Sequence, residues 1–320
     1  MTSIRREYIL ALAIVVLIGA VGSRAPQFLS YANLTAVFLS NVPVLLVGLG
    51  MTLVMLCGEI DISVGSLFAL ISVASGMLAQ NAVPTWGIVL CACTLGLAMG
   101  LLNGALVAYL GISSVIVTLA GLVTWRAALS WWTEGAWIQN LPASFQWFGL
   151  EQREFVPLSF ALAAVMPAFL AWCLKFTTAA RAIYASGSNA EAARLVGIPV
   201  CAVKLWVFAA LGALTGLAAV WNAVRFQQIP SNTGLGLELK VIAAVAVGGT
   251  AVRGGAGGVG GTVLGTILLG LIAPSLTFWG VNAYWEKALQ GALILAAVAV
   301  SAPLMFRKPV SALKQEKTGA

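Results

Sequence analysis

The sequence predicts an all-α, polytopic membrane protein of about ten transmembrane helices. Hydrophobic residues make up 61% of the 320 residues and charged residues only 8%. A water-soluble fold cannot hide this much apolar surface from water. Most of the apolar runs are close to the ~20 residues that a helix needs to cross a bilayer, and they are too continuous for the alternating strands of a membrane barrel.

Ten apolar runs divide the chain, which we expect to form a single transmembrane domain over residues 1–320. The first run fits either an uncleaved span or a signal peptide, and we favour the span. The polar excursion 133–156 is expected to lie outside. Five spans in each half would give the halves opposite directions, as in an inverted repeat. The predicted spans lie near residues 8–22, 34–57, 64–78, 86–109, 114–132, 157–176, 204–224, 239–252, 262–276 and 285–306.

The distribution of lysine and arginine predicts the orientation, because these residues accumulate in short cytoplasmic loops. The net charge is +7, but the basic residues are scattered at span ends instead of forming a patch, so no nucleic-acid partner is expected. With the N-terminus inside, most of the 17 basic residues fall on the cytoplasmic side. Both termini and the loop 177–203 are therefore predicted to be cytoplasmic.

The polar loop 177–203 contains a predicted short helix. Ser188 and Glu191 have capping-box spacing, so we expect the helix to begin at Ser188. Gly197 can adopt the left-handed conformation that ends a helix, and Arg194 suits the negative end of the helix dipole. The helix either contacts a soluble cytoplasmic partner or merely joins two spans. Its candidate residues are Ser188, Asn189, Glu191, Arg194 and Gly197.

Charged residues within or beside the apolar runs are candidates for a transport pathway. Glu59 and Asp61, in the stretch CGEIDISVGS, lie either in a broken helix that lines the pathway or in a cytoplasmic turn exposed to water. Arg126 stands in the middle of the fifth run, where an arginine costs about 2.5 to 3.5 kcal/mol. It therefore needs a partner: Glu59, Asp61, a backbone carbonyl, or a hydroxylated substrate in a cavity.

Aromatic and amide side chains at span ends have two interpretations. Trp125 lies in the fifth run, and Asn222 follows Trp221 at the end of the seventh. Aromatic faces near amide groups commonly hold sugars, but tryptophan at span ends is also typical of the interfacial belt. Trp125 and Asn222 therefore join the charged residues as candidates for the substrate pathway.

Glycine-rich stretches are predicted to let helices approach closely. The tract 253–265, RGGAGGVGGTVLG, has the G-x-G-x-x-G spacing of dinucleotide sites but lacks the strand before it and the acid about 20 residues after it. Small residues four apart on adjacent helices are the better explanation. The glycines with this spacing are Gly96, Gly100, Gly104, Gly212, Gly216, Gly261 and Gly265.

The composition offers little for catalysis. Histidine is absent, which removes imidazole as a general base or metal ligand. No G-x-x-x-x-G-K-[ST] motif occurs, so we do not expect this chain to hydrolyse ATP. The five cysteines form no C-x-x-C pair and are expected to be buried, inert thiols. We therefore assign no catalytic residue, no metal ligand and no cofactor to this chain.

Three stretches, in this order, carry a family resemblance: GEIDISVGS at 58–66, ARAIYASGSNAEAARLVGIPV at 180–200 and VGGTAVRGGAGGVGGTVLGT at 247–266. With them the chain resembles, nearly end to end, the permease subunits of bacterial ABC importers for monosaccharides. That group includes ribose, rhamnose and autoinducer-2 permeases. WTEGAWIQNLP and IPSNTGLGLELKVIAA are most similar to the rhamnose and autoinducer-2 branch. Glu59 departs from the family pattern, which more often has glycine there.

The resemblance implies a multi-pass permease subunit of the bacterial inner membrane that pairs with a second permease subunit, identical or related. Two cytoplasmic ABC ATPases, which bind ATP and Mg, would drive import, and a periplasmic sugar-binding protein would deliver the substrate. The helix near 188–196 would be the coupling helix that docks on the ATPase. An ion-coupled secondary transporter with Glu59 or Asp61 at its ion site is the alternative, and a membrane enzyme is a third.

Overall fold

The computed structural model describes residues 3–282 and 284–301. This part of the chain forms twelve α-helices and two short 3₁₀ turns, and its backbone pairing outside helices includes one antiparallel bridge between Ile138 and Ile229. The helices are α1 (Ser3–Arg24), α2 (Tyr31–Leu56), α3 (Val64–Gln80), α4 (Thr85–Ala108), α5 (Ser114–Thr133), α6 (Gln152–Phe176), α7 (Thr178–Ser188), α8 (Ala190–Leu195), α9 (Val200–Ala223), α10 (Leu237–Val247), α11 (Val259–Phe278) and α12 (Trp285–Ser301).

The all-α, polytopic prediction is confirmed: each of the ten predicted spans coincides with one helix, and the other two helices, α7 and α8, lie in the predicted loop 177–203. Seven helices in the described residues are long and apolar enough to cross a membrane: α1, α2, α4, α5, α6, α9 and α11. The predicted span 239–252 is shorter than expected, because α10 has only 11 residues. A helix of that length is about 16 Å long, roughly half a bilayer core. Residues 302–306 of the last predicted span and the basic tail after them lie outside the described residues.

Helices α2 and α9 form the centre of the molecule and pack against each other. Nearly every residue of α2 from Leu39 to Leu56 is buried, as is much of α9. Both helices are apolar on all sides, which is the pattern expected of helices surrounded by other helices. The more peripheral α4 and α5 keep large apolar side chains exposed, as expected of surfaces that contact lipid or another subunit.

The two halves of the chain repeat one packing pattern. Helix α3 packs against α9 as α10 packs against α2, α4 packs against α9 as α11 packs against α2, and α3 packs against α5 as α10 packs against α12. A break in the helical backbone also separates α2 from α3 and α9 from α10. These paired contacts are those of an internal repeat whose halves interlock at α2 and α9.

Glycines permit the closest helix contacts. A Cβ atom at Gly96 of α4 would overlap the carbonyl oxygen of Gly212 on α9, and one at Gly212 would overlap the carbonyl of Gly96. In the second half, Gly261 of α11 lies against Gly248 in the same way. The remaining glycines of these contacts are Gly100, Gly104 and Gly216 at the α4–α9 contact and Gly265 beside Ala244 of α10. Such contacts bring backbones together at distances that larger residues prevent.

Candidate functional site

The segment between α2 and α3, residues 57–63, is called here the first helix break, and it runs along α5. The Ile60 amide donates to the hydroxyl of Ser114, the first residue of α5, at 3.4 Å. Ser63 then packs against Gly121, and the carbonyl of Gly65 accepts from Arg126 at 3.3 Å. Because a helix rises 1.5 Å per residue, Gly65 lies roughly 18 Å along α5 from Ser114. Helix α3 therefore begins near the middle of a span.

The second helix break, residues 224–236 between α9 and α10, approaches the start of α3. Between α9 and α10 the chain passes through Gly234 and Gly236, both with positive φ angles, of 71° and 85°. Only glycine adopts this conformation readily. Gly234 lies directly against the backbone of Gly65 and the side chain of Phe68. The first turns of α3 and α10 therefore converge at one place in the molecule.

Arg126 bridges the two breaks. Its guanidinium donates to the carbonyl of Thr233 at 3.1 Å and to that of Gly65 at 3.3 Å. Of the partners left open by the sequence, backbone carbonyls are therefore the ones that the structure provides. Neither Glu59 nor Asp61 pairs with this arginine. Hydrogen bonds from a charged donor are stronger than neutral ones, so Arg126 stabilises the contact between the two breaks.

Asp61 does not face water. It is only 2% exposed, and its Oδ1 accepts from the Ser63 amide at 2.8 Å and from the Ser63 hydroxyl at 2.6 Å. Its Oδ2 accepts from Asn103 of α4 at 3.3 Å. A buried carboxylate needs such partners to be tolerated. Asp61 thus fixes the first break against α4, and the interpretation of the segment as a water-exposed turn is wrong for this residue.

Glu59 has a different partner from Asp61. It forms a largely buried ion pair with Lys204, which lies in the second turn of α9. Since α9 follows α8 after a four-residue connection, the pair links the first break to the segment that carries the short helix. Glu59 and Asp61, although two residues apart, therefore do not form a single site.

Glu238, in the first turn of α10, was missed by the sequence analysis. It is 8% exposed, and its Oε2 atom has no hydrogen-bond partner among the described residues. The carboxylate lies over Gly65, where a Cβ atom would overlap it. The signal in the sequence was an acid at the start of an apolar run after two glycines, GLGLELK, which resembles an ordinary helix start.

A cavity of about 840 Å³ lies beside the second break. This volume falls within the range of small-molecule sites. Of the predicted pathway residues, Asn222 lines the cavity, whereas Glu59, Asp61, Trp125 and Arg126 do not. An ion pair between Lys240 of α10 and Glu286 of α12, at 3.5 Å, closes one wall. Further polar lining comes from Arg225, Gln227, Gln228, Lys287 and Gln290.

The tryptophans singled out in the sequence do not line the cavity with Asn222, where the aromatic residues are instead Phe68, Trp137 and Phe226. Trp221 instead packs against Phe148 and Phe155, and its indole donates to the Ser159 hydroxyl at 3.1 Å. Trp125 lies half-buried on α5 beside Gly121. Neither Trp125 nor Trp221 therefore supplies an aromatic face to the cavity that Asn222 lines.

The loop 177–203 contains two helices instead of one. Ser188 is the last residue of α7, and Asn189 caps α8: its Oδ1 accepts from the Ala192 amide at 3.0 Å. The prediction that a helix begins at Ser188 with a Ser188–Glu191 capping box is therefore wrong. Asparagine and serine cap equally well, so spacing alone cannot choose between adjacent residues. Asn189 becomes the cap because its backbone is extended, with φ at −159°, while Ser188 stays helical.

Helix α8 ends where the sequence predicted. Gly197 has a φ angle of 84°, and its amide donates to the carbonyl of Arg194 at 3.0 Å. Glu191 and Arg194 are both exposed. The surface of α8 also includes two apolar residues that the sequence analysis did not select, Leu195 and Val196, which are 86% and 76% exposed. Leu195 and Val196 thus form an exposed apolar pair beside the charged side chains of Glu191 and Arg194.

The glycine tract anchors this helical segment to the spans. The amide of Gly255 donates to the carbonyl of Leu56, the last residue of α2, at 2.9 Å. Gly187 of α7 lies against both of these groups, so closely that a Cβ atom would overlap them. Tyr184 donates to the carbonyl of Gly257 at 2.9 Å. The end of α7 is therefore fixed to α2 and to the tract that leads into α11.

The cap of α8 supports a discriminating prediction. Replacing Asn189 with alanine removes the acceptor for the Ala192 amide, which costs about 1 kcal/mol. In the Asn189→Ala variant, hydrogen exchange at Ala192 should be faster by on the order of fivefold. Ser188→Ala is the matched control and should leave that rate unchanged. The reverse order of effects would restore Ser188 as the cap.

The described residues contain no group of three His, Cys, Asp or Glu side chains that could hold a metal ion.

The five cysteines are free, and only Cys57 is buried. The prediction of inert buried thiols therefore fits Cys57, whereas Cys91 is exposed.

Comparison with known proteins identifies the family. A family model described as "Branched-chain amino acid transport system / permease component" matches residues 33–298. The chain is 37% identical over 303 residues to the autoinducer 2 import system permease protein LsrC of Escherichia coli O9:H4 (strain HS), covering 92% of this chain and 86% of that protein. It is 35% identical over 299 residues to LsrC of Salmonella typhi, covering 92% and 84%. No solved structure gives a significant match. The chain therefore belongs to this family of membrane permease components.

Proposed function

We propose that this chain is the transmembrane permease subunit of an ATP-driven ABC importer that carries a monosaccharide or sugar-like molecule into the cytoplasm. The observation that carries the proposal is the 37% identity to autoinducer 2 import permeases, which extends over 92% of the chain. The sequence has no G-x-x-x-x-G-K-[ST] motif, which agrees with a transporter whose ATPase is a separate protein.

The partners follow from this assignment. A second permease subunit, identical or related, would complete the pathway, and two ATPase subunits that bind ATP and Mg would supply the energy. A periplasmic binding protein would deliver the substrate. The protein would lie in the bacterial inner membrane with both termini in the cytoplasm. The exposed Leu195 and Val196 support α8 as the coupling helix, since they offer an apolar contact beside charged residues.

The packing suggests how movement of the ATPase subunits is transmitted to the transport pathway. Closure of the ATPase pair would move α8 together with α7, which is fixed to the end of α2 through Gly187 and Gly255. The Glu59–Lys204 ion pair would carry the same motion from α9 to the first helix break. Rigid-body movements of this kind switch transport proteins between inward-open and outward-open states.

The substrate class is inferred from the relatives. The family description names branched-chain amino acids, whereas the individual relatives are named for autoinducer 2. We favour a sugar-like substrate because the identity to those individual proteins extends over most of both chains. An ion-coupled transporter is less well supported, since Glu59 is paired with Lys204 and Asp61 is bonded to Ser63 and Asn103.

The experiment is reconstitution of the chain with an ABC ATPase, a second permease subunit and a periplasmic binding protein from the same organism. ATP-dependent uptake of labelled autoinducer 2, ribose or rhamnose into vesicles is expected, and labelled leucine is the control. Uptake driven by an ion gradient without ATP would contradict the proposal. So would ATP-dependent uptake of leucine alone.

A further inference from the structure

We propose that Glu238 recognises hydroxyl groups of the transported molecule together with Arg126, at the point where the two helix breaks meet. This inference rests on the proposed function and adds to it a specificity-determining residue. Glu238 and Arg126 come from opposite halves of the chain, on α10 and α5. The same place holds the first turns of α3 and α10.

The position is one where transport proteins commonly bind substrate. In secondary transporters built from repeats, broken helices meet near the middle of the membrane, and the N-termini of half-helices point at the substrate. Here the carboxylate of Glu238 lies over Gly65 at the start of α3, and Gly234 of the second break touches the same glycine. The partial positive charges of two helix N-termini therefore favour the Glu238 carboxylate at this point.

Glu238 has an unused acceptor. The residue is 8% exposed, and its Oε2 atom has no hydrogen-bond partner among the described residues. Leaving a buried carboxylate oxygen without a hydrogen bond is costly. The N-cap position of α10 is occupied by Gly236, so the buried carboxylate of Glu238 is not the cap of this helix. A hydrogen bond donated to Oε2 by the transported molecule would explain why this atom is left without a partner.

Arg126 supplies the complementary donors. The two charged groups meet at Gly65: the guanidinium donates to the Gly65 carbonyl at 3.3 Å, and the Glu238 carboxylate lies over the same residue. The other hydrogen bond of the guanidinium goes to the carbonyl of Thr233. A guanidinium has five N–H groups, so these two bonds leave donors available. An acceptor next to a donor matches two neighbouring hydroxyl groups, one of which donates to the carboxylate while the other accepts from the guanidinium. The opposite charges of the pair suit a neutral solute.

The cavity gives a route to the pair. Thr233 and Gly234 line the cavity of about 840 Å³, and the carbonyl of Thr233 is bonded to Arg126 on the other side. The segment that begins at Thr233 is thus the wall between the cavity and the charged pair. A shift of this wall would break the Arg126–Thr233 bond and open the cavity toward Glu238.

The test is Glu238→Gln in the complete, reconstituted transporter, with labelled autoinducer 2 as the probe. Glutamine keeps the size of the side chain but loses the charge-assisted acceptor. We expect the KM for uptake to rise about tenfold or more, while the maximum rate stays within about twofold of wild type. Glu134→Gln, an exposed acid at the end of α5, is the matched control and should leave both constants unchanged.

Two results would overturn the inference. An unchanged KM in Glu238→Gln is one, and a fall in folded protein and maximum rate without a change in KM is the other, because it marks a purely structural residue. Glu238→Asp, which keeps the charge, should bind better than Glu238→Gln if recognition is the role. Wild-type uptake measures the proposed function separately: if the wild-type transporter carries only leucine, hydroxyl recognition fails with it.

Discussion

Replacing Leu195 and Val196 together with serine should abolish substrate-stimulated ATP hydrolysis by the assembled transporter and leave the chain inserted in the membrane. Both side chains are more than three-quarters exposed, so their removal costs the fold little. In the docked complex they would be buried against the ATPase, where a few apolar anchors supply most of the binding energy. The measurement is ATP hydrolysis in vesicles with and without substrate-loaded binding protein.

A matched control for this variant is Leu150→Ser, an exposed leucine in the excursion predicted to lie outside. It should retain full stimulation. The double variant should also lose co-purification with the ATPase while its expression equals that of wild type. Normal stimulation in the Leu195→Ser, Val196→Ser protein would remove α8 from the docking surface.

Alanine at Gly212 should strongly destabilise the folded chain. Its Cβ would overlap the carbonyl oxygen of Gly96 and lie 3.1 Å from the Cα of Gly100, so α4 and α9 would have to separate. Overpacking commonly costs about 1–3 kcal/mol, and backbone atoms cannot rotate away as a side chain would. We expect a clear fall in the thermal unfolding midpoint of the protein in detergent.

Gly19→Ala is the control for the helix contact, because no atom lies within 4 Å of a Cβ built at that position of α1. Alanine also favours a helix more than glycine does, so Gly19→Ala should be neutral or slightly stabilising. If both variants unfold at the same temperature, the close α4–α9 contact does not carry the stability assigned to it.

The transmembrane helices were predictable because they depend on local composition. Long apolar runs fix the existence of α2, α4, α5 and α9, and the ends of these helices differ from the prediction by a few residues. The glycine faces were also readable, since small residues four apart have a direct geometric meaning. Helix α10 was harder, because its apolar run continues past Val247 while the backbone leaves the helix at Gly248.

The charged residues were found, but their partners were not. A sequence shows that Arg126 is costly in a span; it does not show that two breaks distant in the chain bring Gly65 and Thr233 to it. Glu238 was missed for the same reason. An acid in the first turn of a helix usually faces water, whereas this one is buried with its carboxylate over Gly65 of α3.

The cap of α8 illustrates a finer limit. Ser188 and Asn189 are adjacent residues with the same capping ability, and the choice depends on α7, which extends through Ser188. The sequence analysis missed α7 because its residues, TAARAIYASGS, lack a long apolar run. Thr177 caps it by accepting from the Ala180 amide at 3.2 Å. A short helix that is stabilised mainly by tertiary contacts is difficult to predict from local composition.

We expect α8 to lie in the cytoplasm, where it can transmit movement from an ATPase to the spans. The most direct measurement is labelling of an Ala190→Cys variant with a membrane-impermeant maleimide, after the five native cysteines have been replaced by alanine. Tyr284→Cys, at an exposed position predicted to lie outside, is the matched marker. We predict that position 190 reacts only in inside-out vesicles, while position 284 reacts in intact cells. Reaction of position 190 from outside intact cells would contradict the account.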